Sequence, residues 1–346
     1  MTEPAPPESS EPPGPPAPLF PGGDPPLGRR PPRPPEERPR LALAPFLDYR
    51  TLPPLPESVD YLAAVGDDNW PMYLNDEYGD CTVAAEAHQL EAWAAASSAG
   101  RRVVRVSDAD VLAAYSRVSG FDPVTGAHDD GAVMQDTLED WQRHGLGGHK
   151  ILAFAEVNVR DLAEVYAALA IFGQLYVGLN VTRSAVDQFN AGSPWDTVPD
   201  DDGGVLGGHA VNVGAAWREF RRDADGLVRP FKLVTWGRVV AMTPTFWTRY
   251  VEEAWVAVSP EWLDSATGRS PAGLDLYALG EALRELTRRP NPFPAPAPEP
   301  PPAPPAPPAP SPDPWHELRR DLRAWARSLE HLLAELKDVL ERHAGR

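Results

Sequence analysis

The sequence lacks the features that usually mark secreted or membrane-bound proteins. Cys81 is the only cysteine in 346 residues, so an internal disulfide and a multi-thiolate metal site are both excluded. Cys81 is therefore either a small buried apolar side chain or a nucleophile. No segment approaches the ~20 apolar residues needed to cross a bilayer, and no basic stretch followed by an apolar one marks a signal peptide. We therefore expect a soluble, cytoplasmic protein with no membrane partner.

Positive charge is also scarce. The chain has 32 Lys and Arg against 50 Asp and Glu, a net charge of −18. An acidic surface repels phosphate backbones, so the sequence predicts no nucleic-acid partner. His128, Asp129 and Asp130 could suggest a metal, but three adjacent loop residues seldom converge on one ion. We therefore expect neither a metal nor a cofactor.

Proline is abundant, with 43 residues concentrated near the two ends. Residues 1–54 and 290–314 consist largely of Pro with Ala, Glu and Gly, and such segments bury too little apolar surface to offset the chain entropy lost on folding. We predict a disordered Pro-rich N-terminal arm at 1–54 and a Pro-rich linker at 290–314. One folded domain remains, at 55–289.

After the linker, residues 315–345 form an amphipathic pattern. Apolar side chains from Trp315 to His343 recur in steps of three and four, which predicts a coiled-coil-like helix. A tethered helix with such a face is expected to form a homo-oligomer or to dock on a partner through 315–343. The alternative is that it folds back on its own domain.

Within 55–289, helical periodicity comes first and strand-like runs come later, which predicts an α+β domain. The stretch from Trp247 to Val258 is compatible with either a helix or a strand. The predicted helices run from Cys81 to about Ser97, after Ser107, from 133 to near 145 and from Asp161 to Phe172, and the predicted strands lie at 151–154, 175–181, 209–213 and 231–237.

Cys81 stands where a nucleophile would be favoured. Gly79 and Asp80 form a tight entry to the predicted helix, and Asp80 as N-cap places Cys81 in the first turn, where the helix dipole stabilises a thiolate. Asn75, six residues upstream, carries an amide of the kind that an oxyanion hole requires. From these residues alone, a nucleophile and a buried filler remain equally good interpretations.

A nucleophilic cysteine needs a base, and histidine has the most suitable unperturbed pKa. Of the eight histidines, His209 is the best placed because it follows Gly208 at the start of an apolar strand. Considered by itself, it is better interpreted as a loop-end histidine with a structural hydrogen bond.

Together these motifs resemble those of the papain-like cysteine peptidases, in the same order from residue 55 to residue 258. The resemblance implies a papain-like fold with a helical subdomain and an antiparallel β subdomain, and a peptide or protein substrate. Three segments are similar to parts of the family: Leu55 to Tyr61 to its mature N-terminus, Gly208 to Val211 to its histidine strand, and Thr235 to Gly237 to the end of its Asn-Ser-Trp-Gly segment. Two single residues stand where the family has others. Asn75 replaces its oxyanion-hole glutamine, and Gly131 falls at its cleft glycines.

The resemblance also implies roles for individual residues. Cys81 would attack the peptide carbonyl, His209 would form the ion pair, and Asn75 would hold the oxyanion. Gly131 and Trp236 would bind substrate. The asparagine that orients the imidazole in the family would fall at Val234, which leaves Thr235 as the candidate third member.

Two other functions stay open. A papain-fold chain with a weakened site could serve as a binding or structural module that oligomerises through its C-terminal helix. The Asp80-Cys81 dipeptide is also similar to cell-wall amidopeptidases of the NlpC type, but that family has its histidine much closer to the cysteine.

Overall fold

A computed structural model describes residues 19–20, 23–34, 36–37, 40–44, 55–67, 69–199, 203–218, 231–264 and 269–272. The predicted linker at 290–314 and the predicted helix at 315–345 lie outside these residues. Of the helices within them, none is both long enough and apolar enough to span a bilayer.

Helices and an antiparallel sheet make up the domain, which confirms the predicted α+β class. The helices are α1 Cys81–Ser97, α2 Asp108–Ser119, α3 Met134–Arg143, α4 Leu162–Phe172, α5 Arg183–Asn190 and α6 Pro244–Tyr250. The strands are β1 Ser58–Asp60, β2 Ala153–Val157, β3 Leu175–Thr182, β4 Val205–Trp217, β5 Phe231–Thr235, β6 Arg238–Met242 and β7 Val251–Val258.

The sheet has seven strands in the order β2-β7-β3-β4-β5-β6, and β1 pairs with β4 beside this path. Every one of these pairings is antiparallel. The long strand β4 therefore lies at the centre, between β3 and β5, and it carries His209.

Helix α1 is the central helix of the domain. It begins at Cys81 and ends at Ser97, as predicted, and all of its residues except Ala96 are buried. A helix that is covered all round belongs in a protein interior, and its many alanines let neighbouring elements approach closely. Because α1 packs against β4, the N-terminus of the helix is held beside the sheet.

The helix boundaries follow the local signals in the sequence. Ser107 and Asp110 form a capping box at the start of α2, and Asp161 accepts hydrogen bonds from two amides at the start of α4. The ambiguous stretch from Trp247 to Val258 is divided between the end of a helix and a strand. Thr243 caps α6, Pro244 occupies its first position, and β7 starts at Val251.

Candidate active site

Cys81 is the first residue of α1 and is 1% exposed. The backbone N–H groups of Ala210 and Gly28 lie close enough to the thiol to favour its ionised form. Ala210 follows His209 on β4, so the helix N-terminus and the histidine strand meet at the thiol. The third segment at this point, Gly28, belongs to the N-terminal arm.

His209 is fully buried and is held on two sides. Its Nε2 lies 2.7 Å from Oγ1 of Thr235, and its ring stacks on Trp236 with centroids 4.5 Å apart. Its Nδ1 is buried and has no hydrogen-bond partner in the part of the chain that the structure describes. If Nε2–H donates to Thr235, Nδ1 is the nitrogen that can take up a proton.

Thr235 reaches the imidazole because of the strand register. Asn212 on β4 stands opposite Val234 on β5. Side chains alternate along a strand, so His209 and Thr235, each an odd number of residues away, share the other face of the sheet. Val234 instead packs with Leu62 in a separate apolar cluster. The expectation that Val234 stands in the orienting position is therefore wrong.

Trp236 is positioned by a tight hairpin turn. Thr235 pairs with Arg238, and the two residues between them, Trp236 and Gly237, have φ angles of 46° and 68°. Two left-handed residues are typical of a type I′ turn, which a tryptophan rarely enters. Packing against the imidazole on one side and Phe189 on the other holds the ring in this conformation.

Asn75 is buried close to the start of α1, but its amide is engaged. Its Nδ2 donates to Oδ1 of Asp80 at 3.0 Å and to the carbonyl oxygen of Tyr78 at 3.2 Å. These two bonds account for both amide protons. Asp80 is itself buried and makes no side-chain cap to the helix, and burial raises the pKa of its carboxyl well above the ordinary value.

Gly131 lies in a loop that is fastened to the start of α1. Asp129 accepts hydrogen bonds from the backbone N–H of Gly79 at 3.0 Å and from the hydroxyl of Tyr115 at 2.7 Å. The backbone N–H of Gly131 donates to the same hydroxyl. Asp129 thus positions this wall of the site. The described ranges contain no group of three or more His, Cys, Asp or Glu residues that could hold a metal ion.

The N-terminal arm runs between these two walls. The backbone N–H of Ala132 donates to Gly28 O at 2.8 Å, and that of Arg30 donates to Ala132 O at 2.9 Å. On the other side, the N–H of Arg29 donates to Gly208 O at 3.0 Å. Gly28 lies so close to the walls that an added Cβ would overlap the carbonyl oxygen of Gly79. Residues 28–30 therefore occupy the cleft directly over the thiol.

For the described residues of the arm, this placement differs from the predicted disorder. Further contacts hold it upstream, where Phe20 packs edge-on against Trp236 and Asp24 pairs with Arg183. Sequence reasoning missed the arm because Pro-rich composition carries no signal for docking. The one available hint was the sequence Leu27-Gly28-Arg29, an apolar residue and a glycine among prolines.

With the arm in place, the cysteine and the histidine are both neutral at ordinary pH. Burial raises the pKa of the Cys81 thiol to about 12, even though its two backbone donors favour the thiolate. Burial also lowers the pKa of His209 to about 3. The docked cleft thus disfavours a thiolate–imidazolium pair.

No family model and no curated protein matches the sequence. The solved structures that it resembles are papain-like cysteine proteases. Xylellain from Xylella fastidiosa is 16% identical with a TM-score of 0.49, over 68% of this chain and 96% of that chain. Procathepsin B from Trypanosoma congolense is 13% identical with a TM-score of 0.45, over 67% and 86%.

Procathepsin L 3 of Tenebrio molitor is also 13% identical, with a TM-score of 0.44 over 63% of this chain and 75% of that chain. At these identities the likeness concerns the fold alone. Activity has to be argued from the residues of this chain.

Proposed function

We propose that the chain is a cysteine-type peptidase, with Cys81 as nucleophile and His209 as its base and acid. One observation supports this most. The imidazole is held at Nε2 by Thr235, its Nδ1 is left without a partner among the described residues, and the backbone N–H of the next residue on β4, Ala210, favours the Cys81 thiolate. A free ring nitrogen on an oriented imidazole, one residue from a group that acts on the thiol, supports the pairing of these two side chains.

The proposed reaction begins when Nδ1 of His209 takes the thiol proton and Sγ bonds to the substrate carbonyl carbon. The negative charge that develops on the carbonyl oxygen is stabilised by the backbone N–H of Cys81, because the first N–H groups of a helix have no partner within the helix itself. The imidazolium then protonates the leaving amine as the C–N bond breaks. Water hydrolyses the resulting thioester and restores the thiol.

Thr235 and Asn75 have supporting roles in this proposal. The hydroxyl of Thr235 accepts from Nε2–H and so keeps the proton acceptor at Nδ1. Asn75 can donate to the oxyanion only after it gives up one of its two present acceptors. The longer bond, 3.2 Å to Tyr78, is the one that we expect it to exchange.

The proposed substrate is an extended peptide, because the cleft already binds one. The backbone groups of Ala132 and Gly208 make hydrogen bonds to the arm that any peptide could replace. Gly131 keeps one wall low enough for a main chain to approach, and Trp236 covers the imidazole side. Both are therefore proposed to bind substrate.

A binding module without turnover is the second candidate. It is favoured by the neutral thiol and imidazole and by the occupied cleft. The two proposals predict different consequences of the departure of the arm. A peptidase gains a reactive thiol that depends on His209, whereas a binding module gains an open groove only.

Peptide hydrolysis by the full chain tests the proposal. Arg29→Ala, which weakens the docking of the arm, is assayed on a mixture of peptides by mass spectrometry. Cys81→Ser and His209→Ala are added to the same background. We expect cleavage that both substitutions abolish. The proposal fails if no peptide is cut and if alkylation of Cys81 by iodoacetamide is equally fast with and without His209.

A further inference from the structure

Arg29 is an unusual residue because its charge is buried in the cleft. Its side chain is 1% exposed. Its Nε donates to Oε1 of Glu253 at 3.0 Å, and its Nη2 donates to Oε2 of Glu252 at 2.7 Å. An arginine buried so deeply needs a negatively charged partner, because a charge removed from water is costly unless it is paired.

The two glutamates are held in place by other residues. Oε2 of Glu253 accepts from the indole N–H of Trp255 at 3.0 Å, and Oε1 of Glu252 accepts from Nδ2 of Asn180 at 2.7 Å. Although burial works to raise it, hydrogen bonds from Arg29 and Asn180 keep the pKa of Glu252 below its ordinary value. Each carboxylate thus has a second hydrogen-bond donor besides Arg29.

Gly178 makes the room that the guanidinium occupies. A Cβ at this position would overlap Nε of Arg29 and would lie 2.6 Å from Sδ of Met134 and 2.8 Å from Cγ of Glu253. The backbone of Gly178 has no left-handed φ, so the need for glycine here is one of space alone. The space that Gly178 leaves fits the planar guanidinium group of an arginine.

The pocket distinguishes Arg29 from its neighbour. Arg30 is 51% exposed at its side chain and donates to the carbonyl oxygen of Asp130 at the rim. Glu253, by contrast, is 1% exposed at its side chain. When Arg29 leaves, this carboxylate loses its cation, and a buried charge without a partner of opposite sign is costly. Because the two donors of Arg29 reach two different carboxylates, a planar fork suits the site better than the point charge of a lysine.

We infer that the pocket formed by Gly178, Glu252 and Glu253 is a specificity pocket for the arginine side chain of a bound peptide, and that the arm fills it in place of that peptide. The description of this peptide as a substrate rests on the proposed function. The selection of arginine rests on the pocket alone.

Peptide binding to the full chain tests the inference without any need for turnover. The protein is Arg29→Ala, in which the arm no longer fills the pocket. The probe is a dye-labelled peptide of residues 24–34, followed by fluorescence anisotropy. Versions of the peptide carry lysine, leucine or citrulline, the neutral isostere of arginine, at position 29. The tethered arm competes equally with all of them, so the ratios of Kd are unaffected.

We expect citrulline to weaken binding at least about tenfold, and lysine to rank between arginine and citrulline. In the Arg29→Ala background, Glu253→Gln should remove most of this preference for arginine. The side-chain oxygen of the glutamine can still accept the hydrogen bond from the indole N–H of Trp255. Should Glu253→Gln fail to fold, as judged by circular dichroism, Glu252→Gln must reduce the preference in the same direction. Equal Kd values for the arginine and citrulline peptides would overturn the inference.

The outcome is separable from that of the proposed function. Selective binding of the arginine peptide without hydrolysis would support the specificity pocket and refute the peptidase proposal. Hydrolysis by Arg29→Ala with no preference for arginine would support the peptidase proposal and refute the specificity pocket.

Discussion

The arm should control access to Cys81, and Arg29→Ala should release it. The thiol is 1% exposed and Gly28 lies over it, so a reagent can reach Sγ only when the arm has left. Substitution of Arg29 removes two hydrogen bonds between charged groups, one of them to a buried carboxylate. A bond between charged groups contributes roughly 1.5–3 kcal/mol when buried and about 1 kcal/mol or less when exposed. The docked state should therefore lose about 3 kcal/mol.

A loss of about 3 kcal/mol raises the population of the open state by roughly a hundredfold. The rate at which iodoacetamide alkylates Cys81 should rise by a similar factor, because each reaction requires an opening. Mass spectrometry of the intact protein measures this rate. Arg30→Ala is the matched control, since its exposed side chain contributes little, and we expect less than about a fivefold change.

The reasoning would be refuted if both substitutions changed the alkylation rate by the same factor. It would also be refuted if Arg29→Ala left the rate at the wild-type value while circular dichroism showed a folded protein. Either result would mean that the arm does not cover the thiol in solution.

The site, the buried histidines and the tail support four further predictions. In the Arg29→Ala background, Thr235→Val should lower kcat about 10- to 100-fold with little change in KM, whereas Thr235→Ser should keep most of the activity, as steady-state kinetics on a cleaved peptide would show. Gly28→Ala should speed alkylation of Cys81 as Arg29→Ala does, because a Cβ would overlap Gly79; an unchanged rate would contradict the close contact. Burial lowers the pKa of His209 to about 3 and that of His88 to about 4, so both take up protons more readily when unfolded. As the pH falls from about 7.5 to about 5.5, each of these two histidines should lower the free energy of unfolding by about 1.4 kcal/mol. The loss should continue until the pH reaches the pKa of the histidine in the folded protein. Urea titrations at the two pH values measure this, and equal stability would contradict it. Deletion of 313–346 should lower the mass seen by light scattering; an unchanged mass would exclude self-association through 315–343.

The sequence determined the elements whose signals are local. Capping residues at Ser107 and Asp161 marked the starts of two helices, and alanine spacing marked α1 from Cys81 to Ser97. Helix α5 was not predicted, although Thr182 caps it, because it is short and comes directly after a buried strand without a break. Such signals depend on a few neighbouring residues, which is why they can be read from the sequence.

Only part of the candidate site could be predicted from local signals in the sequence. Cys81 and His209 could be chosen by residue type and setting, but the partner of the imidazole could not. Whether Val234 or Thr235 faces His209 depends on the register between β4 and β5, and a shift of one residue exchanges the two faces of a strand.

Local patterns in the sequence were thus enough to predict the α+β class, the boundaries of most helices and the two residues that could react. The packed fold was needed to show that Thr235 holds the imidazole, that both amide protons of Asn75 are engaged, and that Arg29 pairs with Glu252 and Glu253. The cause is the distance along the chain. Arg29 and Glu253 are 224 residues apart, and no local pattern encodes a contact that exists only after the sheet, the central helix and the arm have packed together.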